Sequence, residues 1–131
     1  MKLQRRTERK HLFRLTFQLD FLDIEPLQII ELYTENQEDI NGIDYIESSF
    51  VGIHKKLTQI DRLIANNLKG WSIDRLNKVD LAIMRLAVYE IMFSDIPSKV
   101  AVNEAVEIAR EFSTDEGPLF INGFLAVLVE D

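Results

Sequence analysis

Apolar residues recur along this chain at steps of three and four almost from end to end, the period of helices with one buried face. Leu12, Leu15, Leu19 and Leu22 form one line, and Phe13, Phe17 and Phe21 a second, which predicts a first helix over 5–22. Asp23-Ile24-Glu25-Pro26 interrupts the pattern, and Pro26 suits the first turn of a second helix, where its missing N–H costs no bond. Leu27, Ile30 and Tyr33 supply that helix's apolar positions, and the polar stretch 35–41 ends it. Asn41-Gly42 reads as a turn. From Ile43 onward the ladder Ile46, Phe50, Ile53, Leu57, Ile60, Ile64, Leu68 fits one long helix or two consecutive ones, with Gly52 a weak point and Gly70 the stop.

Asn77-Lys78-Val79-Asp80 has the form of an N-cap with an acid three residues on. The helix it opens, 79–93, is apolar on nearly every side, and such a helix lies at the centre of a fold or at an interface. Pro97 is expected to stop it. SKVAVNEAVEIAREF, residues 98–112, is amphipathic, with Val102, Ala105, Val106, Ala109 and Phe112 inward and Glu104, Glu107, Arg110 and Glu111 outward. Asp115-Glu116-Gly117-Pro118 opens a last helix. Asn122-Gly123 would suit a hairpin turn, but Pro118 and the short flanks leave no room for two strands. Gly123 is therefore read as a point of close helix approach, and Trp71 as a core residue. The expectation is an all-α chain, one domain over 1–131 with an arm at about 1–14.

Charge changes this picture. Lys2, Arg5, Arg6, Arg9, Lys10 and Arg14 set six cations against one acid, Glu8, in the first fourteen residues. The chain as a whole carries −7, so this +5 block leaves −12 on residues 15–131. Arg6, Lys10 and Arg14 lie one turn apart on one line, with Arg5 and Arg9 beside it. Cations at a helix N-terminus oppose the macrodipole by about 0.3–1 kcal/mol each and repel one another at i, i+4. Local helix stability does not explain them, whereas an arm for nucleic-acid phosphates does. The competing account is a solvated, solubilising end, which a chain already at −7 does not require.

The remaining chemistry is sparse. The chain has no cysteine, which removes disulfides, thiolate–zinc sites and thiol nucleophiles and suits a reducing cytosol. No apolar run reaches the length of a membrane span, and no apolar segment follows the charged start as a secretory signal requires. Glu8 and the rapid passage into LFRLTFQLDFL also argue against a mitochondrial presequence. His11 and His54 are the only histidines and fall on different helices, and no phosphate loop, dinucleotide turn or nucleophile elbow occurs. Nothing argues for an enzyme, a cofactor or a metal. Arg85 is the odd residue of the apolar helix, with Leu81, Ala82, Val88 and Tyr89 as its neighbours one turn away. It reads either as one half of a salt bridge to another helix or as a partner-facing arginine.

Three motifs align with one family. RLNKVDLAIMRLAVYEI (75–91) resembles RLxxVDxAILRLAxYEL, PSKVAVNEAVEIAREF (97–112) resembles PxxVAINEAVELAKxF, and FINGFL (120–125) resembles FVNGVL. Their order and spacing, and the basic start at Arg5, Arg6 and Arg9, resemble the NusB family of bacterial transcription antitermination factors. The resemblance covers nearly the whole chain and is weakest over 20–55. It implies about seven helices in two small bundles sharing a face and a cytoplasmic, bacterial protein. It implies binding of single-stranded boxA RNA through the Arg-rich start and nearby surface. It also implies pairing with NusE, a small-subunit ribosomal protein, within the antitermination complex of RNA polymerase and other Nus factors that supports ribosomal RNA synthesis. Monomer and homodimer both fit.

On this resemblance Arg5, Arg6 and Arg9 form the RNA-binding arm, Phe120 and Asn122 match the last motif near the RNA side, with Gly123 beside them, and Asp80 and Arg85 belong to the NusE face; Lys2, Lys10 and Arg14 join the RNA-binding set as members of the same basic block. Lys10 replaces a usual Glu, Phe17 a usual Tyr, Leu119 a common Lys and Ala126 a common Asp; the last two weaken the case for RNA contacts from the final helix. Two other readings stand beside it. One is the NusB-like accessory module of a ribosomal RNA methyltransferase, which would continue into a catalytic domain where this chain ends at Asp131. The other is a helical adaptor without RNA binding.

Overall fold

A computed structural model describes residues 2–35, 37, 40 and 42–130, with side chains from Gln4 onward. Seven α-helices account for most of it: α1 (Lys2–Gln18), α2 (Pro26–Glu35), α3 (Ile43–Lys55), α4 (Leu57–Asn67), α5 (Lys78–Phe93), α6 (Ser98–Phe112) and α7 (Gly117–Glu130), with one 3-10 turn at Ile73–Arg75. α1, α2 and α3 pack together, α4 to α7 form a second group, and α5 touches α1, α3, α4, α6 and α7. The all-helical, two-bundle expectation holds, and α5 is the shared face.

Local chemistry sets most element ends. Pro26 begins α2 as its fixed φ favours. At α5 the Asp80 N–H donates to Asn77 Oδ1 at 2.7 Å, and Asn77 Nδ2 donates to Asp80 Oδ2 at 3.0 Å, so cap and acid satisfy each other. Gly42 adopts φ +73° just before α3, where a side chain would be strained, while Asn41, its expected turn partner, lies outside the described residues. α1 stops at Gln18 rather than at residue 22, so Phe21 and Leu22 leave their helical lines and are exposed.

The 46–68 ladder divides at Lys56, not at Gly52. The break is one residue long and Ile60 N–H still reaches Lys56 O at 2.8 Å, so the apolar face keeps its register. Phe50, Ile53, Ile60 and Ile64 are all fully buried. Gly52 has a different use: a Cβ there would land on the Tyr89 ring, so its absence lets α3 approach α5. Gly117 does the same beside Ser113 where α6 turns into α7, whereas Gly123 is exposed with open space around it. The close approach expected at Gly123 therefore occurs elsewhere. Pro97 caps the start of α6 instead of ending α5, which closes at Phe93.

Arg85 is buried, which resolves its two readings in favour of the intramolecular bridge. Nε and Nη2 donate to the two oxygens of Asp61 on α4, each at 2.8 Å, and Nη1 donates to Asp20, just past α1, at 3.0 Å. Burial alone would lower its pKa, but the hydrogen bonds and charges of Asp61 and then Asp20 more than offset this, and the net shift is upward. One guanidinium thus ties α5 to both bundles. Arg85→Ala should destabilise the fold by about 2–4 kcal/mol, somewhat less than a fully buried pair because both aspartates retain some water. Urea unfolding measures this, and a loss under about 0.5 kcal/mol, the level of an ordinary surface substitution, would contradict the assignment.

Candidate nucleic-acid interface

The basic face of α1 is not a row of unpaired cations. Apart from Glu8 on α1 itself, its acids come from α5 and α6, far away in sequence. Arg9 is 4% exposed, and its Nε donates to both Glu90 oxygens, at 2.9 and 3.2 Å, while Nη1 donates to Glu104 at 3.3 Å. Glu90 is fully buried and also accepts the Tyr45 hydroxyl at 2.6 Å. Burial pulls the Arg9 pKa down, and Glu90, Tyr45 and Glu104 outweigh it upward, so the guanidinium stays charged. Burial and the Glu90 charge push the Tyr45 phenol well up. Arg9, expected in the RNA-binding set, is thus an anchor within the chain and has almost no surface left for a ligand.

Its neighbours differ. Arg6 is exposed and grips Glu104 by one edge, Nε to Oε1 at 3.1 Å and Nη2 to Oε2 at 2.8 Å. Lys10 lies 2.7 Å from Glu111. Arg5 sits 4.0 Å over the Tyr45 ring, and its Nε is 3.0 Å from Glu8 Oε1, an ion-pair contact without hydrogen-bond alignment. Glu8 is itself buried against Gly42. Arg14 is exposed, 5.1 Å over the Phe112 ring, and the Tyr33 hydroxyl lies 2.6 Å from His11 Nδ1. His11 is a partner in this contact, and burial followed by the Arg14 charge lowers its pKa. The Lys2 side chain lies outside the described residues.

Arg6 also lines an open cleft of about 840 Å³ between α6 and α7, with Asn103, Glu107, Arg110, Leu119 and Asn122 on its walls. Arg110 pairs with Glu107 across one turn of α6. Two expected residues, Arg6 and Asn122, therefore meet in one site. Phe120 does not join them. It lines a second cleft of about 280 Å³ with Trp71, Arg75, Asn77, Asp80 and Glu116. Asp80 is 6% exposed and forms the floor, held by Asn77 and by the Ser113 hydroxyl at 2.5 Å. Trp71, expected in the core, is 55% exposed on the rim, because the loop that follows α4 and turns at Gly70, with φ +75°, carries its ring outward. Asp80 and Arg85 are thus not neighbours on an open surface: one floors this cleft and the other is a buried tie.

Asn103 and Arg110 escaped notice in the sequence because polar residues on the outer face of an amphipathic helix read as solvated; their spacing of seven, two turns on one side, was the available signal. Among the described residues no group of three or more His, Asp or Glu is placed to hold a metal ion, and no helix is long and apolar enough to cross a membrane.

Known proteins share this fold. The NusB of T. maritima superposes with a TM-score of 0.87 over 97% of this chain and 91% of its own, at 36% identity. A crystal structure of antitermination factors NusB and NusE in complex with double-stranded RNA matches in fold with a TM-score of 0.86 over 99% of this chain and 98% of that one, at 22% identity. Two helical bundles joined through α5, with a basic first helix laid along the sixth, place the chain in the class of all-α antitermination proteins. The family model described as the NusB family matches residues 6–130, and the transcription antitermination protein NusB of Lachnoclostridium phytofermentans is 41% identical over 98% of this chain and 100% of its own length. The chain belongs to the NusB family.

One prediction follows from the pairing of α1 with α6. The Arg6 hydrogen bonds, then the charges of Arg6 and Arg9, hold the Glu104 carboxyl below its ordinary value, against burial, which raises it. A depressed folded value means that Glu104 stabilises the fold above the ordinary glutamate pKa of about 4.3, and that this contribution is lost as pH falls through and below it. Thermal melts of wild type and Glu104→Gln should therefore differ at neutral pH and converge on acidification. A gap that stays constant down to about pH 3 would show that the pairing is not ionic in origin.

Proposed function

We infer that this chain is a transcription antitermination factor that carries boxA-type nascent RNA on the basic face of α1 and the adjoining α6–α7 cleft, and that it pairs with NusE within the RNA polymerase antitermination complex that supports ribosomal RNA synthesis. The observation that carries the RNA assignment is the meeting of Arg6 from the first helix with Asn103, Arg110 and Asn122 in one open cleft. Guanidinium and amide groups converging from three helices suit a backbone with phosphates and exposed base edges. Arg5, Arg6, Lys10 and Arg14 belong to the phosphate-binding set. Arg9 is assigned to anchoring α1, with its burial against Glu90 and Glu104 as support.

Phosphate contacts release counterions, and on single strands log affinity falls with log salt at about −0.7 per phosphate. Replacing Arg5 and Arg6 by alanine should weaken binding of a boxA oligonucleotide and flatten that slope by about 1.4, with helicity retained because both side chains are exposed. Arg9→Ala should instead lower the melting temperature. Fluorescence anisotropy across a salt series and circular dichroism separate the two outcomes. A double variant with wild-type affinity and slope would leave α1 as a solvated helix end.

For NusE the proposal centres on the second cleft. Asp80 supplies a carboxylate at its floor, and Trp71 and Phe120 offer aromatic surface beside it. Buried aromatic anchors dominate interfaces of this type. Trp71→Ala should cost about 2 kcal/mol of NusE affinity while leaving thermal stability within about 0.5 kcal/mol of wild type. Calorimetry with purified NusE tests this, and unchanged affinity would exclude the cleft as the docking surface. On this reading the protein works alongside the transcription machinery of the cytoplasm.

A further inference from the structure

We propose that Glu104 is a positioning residue for the RNA backbone: it holds the Arg6 guanidinium by one edge so that the opposite edge is left to grip a phosphate at the mouth of the α6–α7 cleft. The proposal rests on the RNA-binding reading above. An arginine carries five N–H donors in a rigid planar fork. Glu104 takes the Nε hydrogen and one from Nη2, the side edge of that fork. The second Nη2 hydrogen and one Nη1 hydrogen lie along the end edge, and this edge matches the bidentate geometry of a phosphate. The Arg6 side chain remains 45% exposed, and Arg6 lines the cleft.

Glu104 is suited to this because it is itself held. Its side chain is only 13% exposed, and it also accepts from Arg9 Nη1. Arg9 is locked against Glu90, and Glu90 against the Tyr45 hydroxyl. The line Glu90–Arg9–Glu104–Arg6 therefore runs from buried to exposed, with the half-buried Tyr45 holding its inner end and each later member fixed by the one before it. A long surface side chain loses its rotamer freedom on gripping a ligand, and here that ordering precedes binding. Lys10 beside Glu111 is different. An ammonium is a point charge without a second edge, and Glu111 is itself about half exposed.

The proposal yields an unusual sign. Removing an acid near a polyanion ordinarily strengthens binding, by relieving like-charge repulsion. If Glu104 positions Arg6, Glu104→Ala weakens boxA RNA binding roughly three- to tenfold, despite the lost negative charge. Arg6→Lys, which keeps the charge on an exposed side chain but loses the fork, weakens it by a similar factor. In an Arg6→Ala background the Glu104→Ala change lowers affinity no further, because there is no guanidinium left to position. Anisotropy titration of the full chain with a boxA oligonucleotide reads the wild type and the four variants. Tighter binding by Glu104→Ala overturns the proposal, as does an equal further loss in the Arg6→Ala background or wild-type affinity in Arg6→Lys. The Arg6→Lys result decides the matter if Glu104→Ala does not fold. Failure of the wild-type chain to bind the oligonucleotide overturns the RNA reading and the proposal together, whereas wild-type binding with an unaffected Arg6→Lys overturns the proposal alone.

Discussion

The ion pair between Arg9 and Glu90 holds the rest of this structure in place. Glu90 is fully buried on the central helix and Arg9 almost so on the first. Two charges removed from water are costly, and they remain only because each is saturated: Glu90 by Arg9 and the Tyr45 hydroxyl, Arg9 by Glu90 and Glu104. The pair brings α1, α3, α5 and α6 to one point. Breaking a buried pair by deleting one partner typically costs about 3–5 kcal/mol, on the scale of a small domain's whole stability. The position of the basic helix relative to the cleft beside it is therefore set from below, by the core.

A second charged tie lies at the middle of α5. Arg85 joins Asp61 on α4 and Asp20 beyond α1, and Lys78 reaches Asp20 at 3.6 Å. With Arg9 it joins the two bundles by directional bonds where the contact between them would otherwise be apolar. Apolar packing tolerates sliding, but forked hydrogen bonds do not. This explains the choice of arginine on a helix that buries nearly every side chain from Asp80 to Glu90.

The same economy of charge underlies function. The acidic body and the basic arm are complementary halves of one molecule, because Glu90, Glu104 and Glu111 are what the arm lies against. Pairing neutralises part of the arm and orients the remainder. Among the cations that stay at the surface Arg6 is held by Glu104, and the cleft beside it receives amide groups from α6 and α7. The second cleft, with Trp71 on its rim and Asp80 on its floor, is built from residues that also cap α5 and seat α7. Surface recognition and helix termination thus share side chains.

Features that depend on near neighbours were legible in the sequence. Periodicity, the Pro26 start, the Asn77–Asp80 cap and the amphipathic face of 98–112 act within a turn or two of helix, so the helical segments and the family motifs could be read directly, with one helix or two over 43–68 left open. The cationic start was equally plain, and Arg6 and Asn122 stood among the candidates, the first by charge and the second through the family motif. The different fates of Arg5, Arg6 and Arg9 were not, although the three are the same residue type within five positions. Their roles depend on where Glu90 and Glu104 land, 81 and 95 positions away from Arg9. Trp71 was misplaced for the same reason, since its hydrophobicity argues for burial but the path of its loop decides exposure. Gly52 and Gly123 exchanged roles because a glycine's purpose is set by what packs over it, and Tyr89 covers only the first. Helix formation is a local property of the chain, whereas burial and charge pairing belong to residues brought together from opposite ends of it, and only the packed structure determines which residues those are.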